Sequence, residues 1–247
     1  MVLCSDDELD YLASRTQFEQ GQGLLLDEAY RLAHLPLVAP GHPRVIARRD
    51  GRPYEMGRHE RVFTLVLPVA DEVLKRSPAY LALEAELRAS PFAAKIAWDI
   101  LERRRHKLHA TLCGSLATGN KPPVLDAGQR DALRRLGPVT VELRGLFSGN
   151  VNLGRLYLRA YPEKRDGRNV FHRIQQLLGR RTTSLYVVGI YNLNDDLDPS
   201  ECSILSDILT RWWDRPIARF QAEALWLLGT NDDLLLDSET VGFVPLL

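Results

Sequence analysis

From residue 61 onward the apolar positions fall into short alternating or compact runs, separated by stretches with helical spacing. Arg61-Val62-Phe63-Thr64-Leu65-Val66-Leu67-Pro68 is a compact β run closed by proline, and it predicts the first strand of the main sheet. Ser77-Pro78 and Ser90-Pro91 each set a hydroxyl before a proline, the pattern of a helix start, and the second helix is predicted to run to about Arg104. Residues 108–116 predict a strand and 126–136 a helix. Residues 139–147 and 153–161 alternate on either side of Ser148-Gly149-Asn150, as a β-hairpin does. Helical spacing returns at 169–178, β character at 184–193, and a helix at 199–213 carries Ile204, Leu205, Ile208, Leu209 and Trp212 on one stripe. Residues 218–229 and 234–244 predict a terminal hairpin.

The first 60 residues read differently. Ser5 with Glu8 makes a capping box for a helix through about Gln20, and residues 24–35 form a second amphipathic stretch. Residues 36–61 are rich in Pro, Gly and Arg, with Asp50-Gly51 as a turn, and predict a long loop or a marginal hairpin. The organisation expected is therefore an N-terminal helical and loop extension over 1–60 and a main domain over 61–247. The order of elements in that domain predicts an α+β fold, with antiparallel sheets in two lobes around a central cleft and helices packed outside.

Composition adds limits. A chain of 247 residues, 45% hydrophobic and 26% charged, has enough material for a core without staples. No run approaches the roughly 20 apolar residues of a membrane span, and the start MVLCSDDELD is acidic where a secretory signal is basic. A cytoplasmic protein without membrane contact is expected, with Cys4, Cys113 and Cys202 as free thiols. Lys plus Arg and Asp plus Glu balance at 32 each, so any anion site must be local. Arg105 and Lys107, in the basic run 103–107, are candidates to bind a substrate phosphate; the alternative is a solvated helix end.

The string with chemical content is Lys107-Leu108-His109-Ala110-Thr111-Leu112. His109 and Thr111 stand two apart on a strand, so their side chains share a face. There an imidazole can move a proton at a reacting oxygen while a hydroxyl donates to a non-bridging phosphate oxygen. Taken alone, the tripeptide reads more readily as a half-buried histidine bonded to a neighbour.

The run 63–67, followed by helices and then by Leu108-His109-Ala110-Thr111-Leu112, resembles the opening of the two-histidine (2H) phosphoesterase superfamily. That group includes 2'-5' RNA ligase-like proteins and RNA 2',3'-cyclic phosphodiesterases. The resemblance spans roughly residues 61–247 and implies a pseudo-twofold pair of lobes, each giving a His-x-Thr or His-x-Ser to the cleft. One histidine would act as base and the other as acid, with no metal or other cofactor. The strand that would hold the second motif, 185–193, contains no histidine: Gly189 falls at the histidine position and Tyr191 at the hydroxyl position. Both are candidate substrate-binding residues, or simply core residues. His172, near a helix start, is the candidate replacement for the missing acid.

Three functions stand at this point. The first is a metal-independent phosphodiesterase acting on cyclic or 2',5'-linked nucleotides or RNA ends, with reduced activity. The second is a catalytically inactive protein that binds a nucleotide or RNA-end phosphate on the same scaffold. The third is a protein-interaction module. The acidic run 194–198 reads as a helix-entry cap in preference to a cation loop, and Trp212-Trp213 as core closure in preference to a base platform.

Overall fold

A computed structural model describes all residues, 1–247. Its strands are β1 (Val2–Leu3), β2 (Arg58–Pro68), β3 (His109–Thr118), β4 (Val139–Ser148), β5 (Arg155–Arg165), β6 (Arg168–Asn169), β7 (Val187–Asn192), β8 (Pro216–Ala222), β9 (Ala224–Asp232) and β10 (Ser238–Pro245). They form one curled antiparallel sheet in the order β10-β9-β2-β3-β7-β5-β4-β8, and the two-residue strands β1 and β6 add to β5. The fold is α+β, with helices against the outside of the sheet.

The two expected lobes are present as halves of this single sheet, not as separate sheets. Four strands on each side have long ladders, whereas β3 and β7 join through the single pair Ala110↔Val188. That seam is where the two halves meet. The predicted strand 218–229 is also corrected: it divides at Glu223, with β8 ending on β4 and β9 pairing with β2. The chain thereby crosses from one half of the sheet to the other.

Local signals explain most helix starts. Ser77 Oγ accepts from the Tyr80 amide at 3.1 Å at the start of Pro78–Arg88, and Asp126 accepts from the Gln129 amide at 2.8 Å at the start of Ala127–Leu136. Asp198 and Glu201 form a capping box on Pro199–Trp212, so the acidic run 194–198 serves as a cap. Ser90-Pro91 behaves differently from expectation. Ser90 Oγ donates back to the Leu87 carbonyl at 2.7 Å, closing the preceding helix, and the next α-helix begins only at Trp98.

The first 57 residues pack into the main core. Tyr11 Oη donates to the carbonyls of Ala160 and Tyr186 at 2.7 and 2.8 Å, and Tyr30 Oη donates to Leu193 at 2.6 Å. Leu24, Leu26 and Leu35 join the same apolar cluster as the strands. The predicted helix through Gln20 is only a turn at Asp6–Glu8 and a short helix Tyr11–Ser14, although the Ser5–Glu8 capping box forms. All three cysteines are free and buried, and no helix is long and apolar enough to cross a membrane.

Candidate functional site

The seam fixes the site. In an antiparallel ladder the pair Ala110↔Val188 sets His109 opposite Gly189 and Thr111 opposite Val187. Ala110 and Val188 point into the core and are fully buried. The other four residues therefore face the cleft, and all four line one pocket of about 210 Å³ together with Arg104, Arg155 and others. This is smaller than the roughly 300 Å³ at which sites for whole small molecules begin, so it suits an end group.

His109 turns one ring nitrogen to the backbone and the other to the cleft. Its Nδ1–H donates to the Lys107 carbonyl at 2.9 Å, leaving Nε2 free for the cleft. Burial pulls its pKa down to about 4; the Lys107 carbonyl opposes this, and Arg104 and Arg155 add to it. The ring is therefore neutral at pH 7. Thr111 beside it is exposed, with its hydroxyl open to the cleft.

Across the seam stands an arginine. A Cβ on Gly189 would lie 2.5 Å from Arg155 Nε and 2.7 Å from its Cζ, so the guanidinium occupies the space a side chain at 189 would need. Arg155 Nη1 donates to His34 Nε2 at 3.0 Å, which holds the fork in place. His34 is wholly buried and stacked on Tyr30, and burial with Arg155 pulls its pKa down to about 3. Arg104, also buried, donates to the Gly189 carbonyl. Burial, reinforced by Arg155, lowers its pKa to about 9, so it remains a cation near neutrality.

Two cationic side chains thus meet at the cleft with donors unspent. Arg104 Nη1 and Arg155 Nε are buried and have no hydrogen-bond partner. An unpaired buried charge is costly, and an anion that accepts from both would relieve it. Asp232 and Asp233 line the same pocket but are engaged elsewhere. The Asp232 carboxylate accepts from the amides of Leu234, Leu236 and Asp237, shaping the loop at the cleft edge. Asp233 is held by Tyr54 Oη at 2.8 Å and by His59 Nε2 at 3.4 Å. Burial would raise its pKa, but His59, His34 and Tyr54 outweigh that and hold the carboxyl ionised well below its ordinary range.

Several expected site residues lie elsewhere. Tyr191 is turned away because β7 carries an extra residue between the pairs Leu156↔Tyr191 and Tyr157↔Gly189. The bulge reverses its face, and Tyr191 is buried against Trp98 and donates to Tyr80 Oη at 3.3 Å. His172 bonds through Nε2 to the Thr183 carbonyl at 3.0 Å on the helix layer, outside the cleft, so it does not replace an acid there. Arg105 is spent on Glu102, Glu84 and Asp71. Lys107 donates to the carbonyls of Leu235 and Ser238, pinning the loop at the cleft edge. Trp212 and Trp213 close the core, Trp213 carrying the buried Arg159 guanidinium 3.7 Å above its ring.

The residues absent from the expectation are Arg104, Arg155, Tyr157 and His34. Arg155 and Tyr157 stand two apart and alternate with Leu156 and Leu158, so a polar face on a strand was legible there. Nothing in the pattern around His34 pointed to the cleft, because its role depends on how residues 1–57 pack.

His109 and His34 make stability acid-sensitive. In the unfolded chain each has an ordinary pKa near 6.5, so that state takes up protons before the folded state does. The stability they carry is complete above about pH 6.5 and is lost as pH falls toward 4. His59, whose pKa is raised, opposes this in part. The urea midpoint is expected to be lower at pH 5.0 than at pH 7.5, with a smaller drop in His109→Asn. An unchanged midpoint would contradict neutral burial of both rings.

No family model and no curated protein matches the chain. Among solved structures it is similar to TT0787 of Thermus thermophilus, at 14% identity and a TM-score of 0.39, over 75% of this chain and 97% of that one.

Proposed function

We propose that this protein binds the phosphate end of a nucleotide or RNA, in the manner of a 2H phosphoesterase scaffold that has exchanged its second histidine for an arginine pair. The observation that carries this is the Arg155 guanidinium lying over Gly189 opposite His109, with Arg104 beside it and donors on both unpaired. Arginine matches phosphate with a planar fork of donors, and it does not release a proton near neutrality. The exchange therefore favours binding over two-base hydrolysis.

A second reading, slow metal-independent hydrolysis, rests on the free Nε2 of a neutral His109. Such an imidazole can take a proton from water attacking a cyclic phosphate, but the leaving oxygen would depart with only arginine stabilisation. A positioned acid typically contributes about 10²–10⁴-fold, so turnover is expected to be slower by that order than with two histidines.

Calorimetry and product chromatography with uridine 2',3'-cyclic phosphate in the presence of EDTA test both. Binding should survive His109→Ala, and any hydrolysis should disappear. Failure to bind cyclic or 2'-phosphorylated nucleotides would remove the proposal. Turnover that needs a metal and outlives His109→Ala would assign the chemistry to another site.

A further inference from the structure

We infer that a second anionic contact lies on the outer helix layer, and that its occupant is the phosphodiester backbone of a single-stranded nucleic acid. Between the helices Ala127–Leu136 and Val170–Leu177 runs a groove of about 430 Å³ lined by Arg135, Arg168, Arg173 and Gln176, with Leu136 and Leu177 among its apolar residues. No carboxylate lines it. Arg173 reaches only the exposed Asp166, at 3.6 Å, and Arg135 and Arg168 form no ion pair. Arg130 and Arg134 on the first helix and Arg181 just beyond the second are likewise exposed and form no ion pair, and they outnumber Asp131, the one acid on that helix. In a chain with 32 basic and 32 acidic residues this is a local excess, placed where two helices form a trough.

The lining selects the partner. Guanidinium groups beside the exposed Leu177 suit a strand whose phosphates meet the cations and whose exposed bases pack on that side chain and on the guanidinium planes. A duplex keeps its bases inside and gains nothing from Leu177, the exposed apolar side chain of the groove. The groove lies behind β3 from the cleft: Gln175 Nε2 donates to the Leu112 carbonyl at 2.8 Å, and Leu112 faces away from Thr111. Arg180, just past the end of the same helix, donates to the carbonyls of Gly114 and Ser115 further along that strand, at 2.9 and 3.1 Å. Three side-chain hydrogen bonds thus tie the helix and the turn after it to the strand that carries His109. The inference rests on the proposed reading insofar as it names a polynucleotide, rather than a mononucleotide, as the ligand.

The test is the full chain carrying Arg135→Gln, Arg168→Gln and Arg173→Gln together, all surface changes that leave the core untouched. Anisotropy with a labelled 12-nucleotide single-stranded RNA should show affinity lower by about tenfold or more, and a log–log salt slope reduced by about 2, since each phosphate contact to a single strand contributes about 0.7. Calorimetry with a nucleotide 2'-phosphate should give the wild-type affinity. Unchanged RNA affinity and slope would overturn the inference, as would a poly-glutamate peptide that displaces the RNA with equal affinity, since the groove would then serve a protein. If RNA binding depends on the three arginines while no mononucleotide binds, the cleft reading fails and the groove stands.

Discussion

The double variant Gly189→His, Arg155→Ser is expected to hydrolyse a 2',3'-cyclic nucleotide about 10²–10⁴-fold faster than the wild type. The register places position 189 opposite His109, and directly opposed residues of an antiparallel pair have Cβ atoms about 4.5–5.5 Å apart. Two imidazoles rooted there can flank one phosphate, one taking a proton from water and the other giving one to the leaving oxygen, worth the range usual for a positioned acid. Removing Arg155 is required because a side chain at 189 would run into its guanidinium. That guanidinium is the far end of a long side chain held by His34, so Gly189→His alone should push the arginine aside and break its bond to His34. Single-turnover assays with EDTA across pH 5–9 give the answer: a bell-shaped profile absent from the wild type is expected. A variant that binds nucleotide phosphate yet turns over no faster would show that the cleft lacks the geometry for in-line attack.

Arg155→Gln is expected to weaken binding of a nucleotide 2'-phosphate by about 10- to 100-fold. Hydrogen bonds to a charged partner are worth about 1.5–3 kcal/mol net, and each 1.4 kcal/mol is a factor of ten. Glutamine is two bonds shorter, its amide standing near the position of Nε, so the variant loses the charge and the fork and also the bond to His34 Nε2. Arg155→Lys should lie between, because it keeps the charge but loses the fork. Thermal unfolding of each variant separates the two effects. Equal affinity in Arg155→Gln and wild type would mean that the unpaired Nε serves no anion.

How far the site could be read from the sequence depended on local and non-local physics. The face shared by His109 and Thr111 follows from period two within one strand, and it is where the pattern placed it. Gly189 opposite them was reachable through the resemblance. Tyr191 was misplaced because a bulge, which depends on the pairing of β5 with β7, leaves no mark in β7 alone. Arg105 and Lys107 looked free in a basic run, and only packing shows their partners. His34 was assigned to an extension, yet it touches Arg155 because Tyr30 and its neighbours enter the main core. Strands with strong alternation were well located. Residues 218–229 were not, since the bend at Glu223 interrupts a run whose alternation continues on both sides.

The route of the chain through the sheet sets an order of events during synthesis. β4, β5, β7 and β8 come from the continuous stretch 139–222, and neighbouring strands within it close short or moderate loops. β2 and β3 emerge earlier, but β9, which covers the open edge of β2, arrives only with residues 224–232, after every strand of the other half. Until then the His109 side of the cleft has an exposed strand edge, the kind of surface that pairs with other chains. The crossing at Glu223 then brings β9 and β10 over to close it. The half holding Arg155 and Gly189 is therefore a finished surface while the half holding His109 still waits for its edge, and a nascent chain stalled before residue 224 would expose β2 to aggregation.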